Sequence, residues 1–189
     1  MKHLLAALSL LLCAHAQGAE LGAVQLDKSV ISFVSKQMNV PVEGSFKKFS
    51  AQIAIDPAKP EAGRARIEID LASIDAGSTD ANDEVKGKSW FSVREFPTAS
   101  FVSSSVKALG GGRFEASGKM SIKGKTLETR APFTLKQEKG VLVLDGTFPL
   151  KRLDYGIGSG IWGDTSVVAD EVQVKFHFVL RASSTGEIP

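Results

Sequence analysis

Arg152, Asp154 and Tyr155 stand within four positions of one another and carry a guanidinium, a carboxylate and a phenol. Such a set could hold a phosphate, carbonyl or amide head group, or do acid–base work on a lipid-like substrate; Arg152 could equally pair with a neighbouring acid. Other chemistry is thinner. His3 and His15 fall in the first sixteen residues, which leaves His177 as the base that a serine hydrolase would need. It occupies the polar phase of an alternating run, between Lys175 and Arg181, and reads as a solvated surface histidine. Ser159 lacks the G-x-S-x-G frame of an exposed nucleophile. Gly158 to Gly163 satisfies G-x-G-x-x-G by the letter, but no helix pattern follows it, so it reads as a loop over one end of the fold rather than a dinucleotide site. Asp80, Asp83 and Glu84 suit the start of a short helix better than a metal site, and nothing in the spacing joins Asp75, Asp154 and Asp164 into an acid–base pair.

The elements that must position these groups follow from composition and period. The chain has 189 residues, 43% hydrophobic and 23% charged, which is the profile of one folded domain. Its 23 basic residues against 21 acidic ones, without a like-charge block, give no footprint for nucleic acid. Met1-Lys2-His3, the apolar run Leu4 to Cys13 and Ala14-His15-Ala16 have the form of a cleavable export signal, cut after Ala16 or, alternatively, after residue 19. The alternative is a lipid attached at Cys13, although Leu12 is large for that site. Cleavage after Ala16 removes the one cysteine, so the mature domain, 17–189, has neither a thiol nucleophile nor a disulfide.

Beyond the signal the period is two. In 65–71, apolar Ala65, Ile67, Ile69 and Leu71 alternate with charged residues. The windows 114–122, 127–135, 142–150 and 172–180 do the same, and 30–36, 46–55 and 99–106 are further candidates. Side chains on a strand point to opposite faces in turn, so each window has a dry and a wet face. Turns at 122–125, 109–112 and 137–140 contain glycine and favour antiparallel neighbours. About eight amphipathic strands with short hairpins predict an all-β fold, an antiparallel barrel with one short helix in the long connection 77–98. The inward phase mixes Phe and Leu with Ala51, Ala65, Ala116, Gly118, Ala131 and Gly146. Either neighbouring aromatic rings fill the space above these small residues, or a cavity for an apolar tail remains.

Several stretches, in order, resemble the YceI-like family of bacterial lipid- or polyisoprenoid-binding proteins. Leu26-Asp27-Lys28-Ser29 with Phe33, then Gly44, Phe46 and Phe49, are similar to its opening strands. Leu71-Ala72-Ser73-Ile74-Asp75, Trp90-Phe91, Phe96-Pro97-Thr98-Ala99-Ser100-Phe101, Gly118 to Gly124 and Arg152-Leu153-Asp154-Tyr155-Gly156-Ile157-Gly158 are similar to later family segments. The resemblance implies an extended lipocalin-like barrel that sequesters an isoprenoid, quinone or fatty-acid-like molecule, without catalysis or a catalytic cofactor. It also implies a periplasmic location, and allows a homodimer and a membrane-protein delivery partner. The chain departs from the pattern at Gln37-Met38 and at Asn82-Asp83-Glu84-Val85, both near the expected mouth.

On this reading the ligand contacts begin in the first strands, with Phe33, Met38, Val42, Phe46, Phe49 and Ile53. Leu71, Phe101, Met120, Phe133, Phe148 and Phe176 continue them along the later strands. Trp90, Phe91 and Phe96 either plug one end or line the entrance, and Arg152, Tyr155 and Trp162 stand near the head group.

Overall fold

The computed structural model describes residues 21–181, most of them in eleven strand segments of one antiparallel sheet. The export signal expected at 1–16 lies outside the described residues. In chain order the elements are β1 (Leu21–Gly22), β2 (Val30–Gln37), β3 (Val40–Phe46), β4 (Phe49–Ala54), β5 (Arg64–Asp70), β6 (Ile74–Asp75), α1 (Thr79–Lys86), β7 (Thr98–Gly110), β8 (Arg113–Ile122), β9 (Lys125–Glu138), β10 (Val141–Lys151) and β11 (Glu171–Arg181).

The ladders return on themselves. β3 pairs with β2 on one side and β6 on the other, and its continuation β4 pairs with β5. β5 in turn leads into β6 through a 3-10 turn at Leu71–Ser73. Taking β3/β4 and β5/β6 as single staves, the wall runs β5/β6, β7, β8, β9, β10, β11, β2, β3/β4 and back, the eight-stave barrel expected from the alternation. The first residues fill the gap below β2: Gly22 pairs with Ile53, and Val24 bridges to Leu180. Closure gives every stave a neighbour on both sides, which reduces the exposed edge that an open sheet would leave.

Hairpin turns set the register. Met38-Asn39, Lys123-Gly124 and Lys139-Gly140 all take positive φ, the backbone of two-residue turns whose twist matches the flanking strands. The inward phase is the apolar one: Phe114, Ala116, Met120 and Ile122 on β8, Leu144 and Phe148 on β10, and Phe178 and Leu180 on β11 are buried. β9 departs from the expected uniform pattern. Ala131, Phe133 and Leu135 are buried, but Leu127 is 38% exposed. The reason is a split in the wall, since β9 and β10 stay paired only between Gly146↔Phe133 and Val141↔Glu138.

The segment after β10 folds back into that split. Lys123 Nζ donates to the Gly156 carbonyl at 2.8 Å, Lys125 Nζ donates to the Asp154 carbonyl at 3.0 Å, and Tyr155 is buried beside them. Partial burial pushes the Lys123 ammonium below its ordinary pKa, the carboxylate of Glu95 opposing and Lys125 adding to the shift. The expected helix forms as α1, capped by Ser78, whose hydroxyl accepts from the Ala81 amide at 3.2 Å. It lies across one end of the barrel.

Candidate functional site

Small residues on the inward phase have two fates. At Gly146 a Cβ would overlap the Phe176 ring, and at Gly44 the Phe33 ring, so aromatic side chains fill those positions. Gly118 is covered by the Val102 backbone. Ala65, Ala116 and Ala131, by contrast, face open volume. Two apolar cavities follow along the barrel interior. The narrower, about 90 Å³, runs between Ile53, Phe101, Phe133, Phe148 and Phe176. The wider, about 520 Å³, lies under α1 and the loops. Ile31, Ile69, Met120 and Val174 line both, so the two adjoin as the narrow and wide parts of one apolar interior. The wide part falls within the roughly 300–1,000 Å³ of small-molecule sites.

The expected contacts sort by position. Phe33, Val42, Phe46, Leu71, Trp90 and Phe91 line the wide chamber, and Phe46 meets Phe91 edge-on with centroids 6.3 Å apart. Trp162 and Arg152 join them at the mouth. Four expected contacts lie outside both cavities. Met38 sits in the β2–β3 turn, 70% exposed, because positive φ at this position turns the chain away from the barrel. Phe49 stacks edge-on against Phe178 at 6.0 Å. Phe96 packs over the β8–β9 hairpin, its ring occupying the space a Cβ at Gly124 would need. Tyr155 is buried near β9 in the wall split, where burial raises its phenol pKa, Thr129 opposing and Asp154 adding to the rise.

Arg152 is the largest correction. It is 1% exposed, and its Nε donates to the Ala169 carbonyl at 3.0 Å. Nη1 donates to Ile157 and Gly158, and Nη2 to Trp162 and Val168, at 2.7–2.9 Å. All five N–H groups are therefore committed to carbonyls. The guanidinium neither pairs with Asp154 nor keeps a donor for a head group. It lies 5.7 Å from the centroid of the Trp90 ring and holds the 157–168 loop in place. Burial lowers its pKa, with Asp170 opposing. Arg152, Asp154 and Tyr155 do not converge on the cavity, because Asp154 is exposed and Tyr155 faces β9.

Two elements border the mouth. The 3-10 turn Gly160–Gly163 brings Trp162 to 5.6 Å from Trp90, and Trp162 Nε1 donates to Glu84 of α1 at 2.7 Å. The Gly158–Gly163 stretch is thus a loop over the barrel end, as its context predicts. Of the two departures from the family pattern, Gln37 and Glu84 border the chamber, while Asn82 accepts the Ala76 amide at 2.6 Å and braces the loop before α1. His177 lies on the outer wall, its Nδ1 2.6 Å from Asp145 across the β10–β11 ladder. Sequence reasoning missed Ile31, Ile69 and Val174, whose apolar phase was visible but whose position where the two cavities adjoin was not.

Comparison with known proteins gives relatives of this architecture. The crystal structure of BcnA from Burkholderia cenocepacia is 50% identical and superposes with a TM-score of 0.81, covering 83% of this chain and 99% of that one. A polyisoprenoid binding domain from Saccharophagus degradans, implicated in plant cell wall breakdown, shares the fold at 16% identity and a TM-score of 0.66, covering 86% of this chain and 99% of its own. A UPF0312 protein of Azotobacter vinelandii is 31% identical over 83 residues, 44% of this chain and 43% of that protein. The matched stretch thus spans less than half the length of that curated relative. The model of the YceI-like domain matches residues 23–180, nearly the whole described barrel, and the chain belongs to that family.

Proposed function

We propose that this protein is an exported carrier that sequesters a long-chain isoprenoid, quinone or related lipid inside the barrel. One observation carries the reading: two adjoining cavities inside the barrel, wide under α1 and narrow beyond Met120, lined mainly by apolar side chains, with the polar lining of the wide part confined to Ser32, Ser35, Gln37, Asp80, Glu84 and Arg152. Each methylene moved from water into such an interior contributes about 0.8 kcal/mol, so a tail of several isoprene units needs no strong polar anchor. The polyisoprenoid binding domain among the structural relatives supports the same ligand class. The expected export signal at Met1–Ala16 supports a periplasmic site of action. A homodimer and a membrane-protein delivery partner belong to the same proposal. An interaction module with a solid interior is disfavoured by the open volume.

Native mass spectrometry and solvent extraction of protein purified from a bacterial periplasm test the reading. The expected result is a copurifying apolar molecule, or stoichiometric uptake of an added isoprenoid. Repeated recovery of empty protein that takes up no added lipid would overturn it.

A further inference from the structure

The charge of the mouth bears on which head group the barrel interior accepts, an inference that rests on the carrier reading above. Three ionisable residues line the wide chamber: Asp80, Glu84 and Arg152. Arg152 has no N–H left to offer, as its five donors all reach backbone carbonyls. The two remaining groups are carboxylates on one helix, four positions apart and so on the same face. Glu84 is held there by the Trp162 indole, which occupies one of its oxygens. The N-terminal end of α1, which would otherwise attract an anion, carries Asp80 in its first turn and has its Ala81 amide capped by Ser78.

The other polar groups of the chamber are neutral. Ser32, Ser35 and Gln37 border it from β2 and supply hydroxyl and amide groups that serve a carbonyl, alcohol or amide equally well. A second cation, Arg64, borders the far end of the narrow part. Its Nη1 donates to the carbonyls of Glu61 and Gly63, and the room there, about 90 Å³, suits a slender chain end rather than a hydrated diphosphate. An anionic head would therefore meet two like charges at the mouth with no available cation among the chamber-lining residues.

We infer that the chamber selects amphiphiles whose polar end is uncharged (an alcohol, amide or quinone) over those ending in phosphate, diphosphate or carboxylate. The selectivity is electrostatic, so it weakens as salt screens the mouth.

The test compares farnesol with farnesyl diphosphate, one tail with two heads, on the full mature chain. Both tryptophans of the sequence line the chamber, so quenching of their fluorescence reads occupancy, with calorimetry as a second measure. The expected result is tighter binding of the alcohol by on the order of tenfold or more at low salt. That ratio should shrink at an ionic strength of about 1 M, where the Debye length is about 3 Å. It should also shrink severalfold in the double variant Asp80→Asn/Glu84→Gln, in which the glutamine still accepts from Trp162. Equal or tighter binding of the diphosphate, or a ratio unmoved by both salt and the double variant, overturns the selectivity while the carrier reading stands. If neither probe binds, the carrier reading falls and takes this inference with it.

Discussion

Trp162 and Glu84, 78 positions apart in the chain, meet across the mouth of the barrel through a 2.7 Å hydrogen bond from the indole N–H to a carboxylate oxygen. The bond ties the loop after β10 to α1, and a second tie, from the Ser159 amide to the Ser89 carbonyl at 2.8 Å, lies beside it. These ties narrow the opening of the wide chamber, and a bulky ligand would pass more easily if one of the two elements moved. A hydrogen bond to a charged group contributes about 1.5–3 kcal/mol. This bond is solvent-exposed, so Glu84→Ala should speed release of a bound lipophilic dye severalfold in stopped-flow displacement. Glu84→Gln, which retains an acceptor, should show a smaller change.

Arg152 holds five carbonyls from three stretches of one irregular loop, Ile157–Gly158, Trp162 and Val168–Ala169, so its replacement leaves several buried acceptors without donors. Arg152→Met should lower stability by about 3 kcal/mol or more in urea unfolding. Arg152→Lys should recover only part of that, because an ammonium has three donors and no planar fork. A variant as stable as the parent would show that the loop finds other partners.

The narrow cavity should measure tail length. Ala116→Leu places a branched side chain into a space of about 90 Å³. Excluding two methylenes costs about 1.6 kcal/mol, or more than tenfold in affinity. Binding of an eight-unit isoprenoid alcohol should weaken by that factor relative to a three-unit one, measured by competition for the same dye.

Tyr155 is the one tyrosine of the sequence, so the tyrosinate absorbance band reports it alone. Its burial raises the phenol pKa above the ordinary 10.0. The sign follows from proton binding: the folded state holds the proton more tightly than the unfolded chain. The stability associated with the neutral phenol is thus complete below about pH 10 and is lost as pH rises through the higher folded value. Spectrophotometric titration should give a midpoint above 10 in the native protein and near 10 in urea. A native midpoint at or below the urea value would place the phenol in solvent.

Much of this architecture was legible in the residues. The alternation in 65–71, 114–122, 142–150 and 172–180 assigns strands and their inward faces, because the period of a strand side chain is two whatever it packs against. Glycine at Gly124 and Gly140 marks hairpins, because positive φ is steric and local. A short helix within 77–98 could be read from its charge order, while its bounds, Thr79–Lys86, came from the structure.

The site depended on what alternation cannot express. Leu127 has the right phase for the core but lies where β9 and β10 part, and only the register of the ladders places that split. Arg152 has the chemistry of a head-group ligand, yet the fold brings five carbonyls around it from residues far along the loop. Gly146 and Ala116 look alike as small inward residues, but Phe176 covers one and not the other. Most strands, their facing and the hairpin turns were thus determined by the sequence itself, since each rests on contacts within a few residues; β3 (Val40–Phe46) was not among the expected windows, and the strand expected over 46–55 is broken before Phe49. Which small residues leave a cavity, which polar groups remain free and what borders the mouth were decided by the tertiary structure, because each depends on side chains that meet only when distant strands close into a barrel.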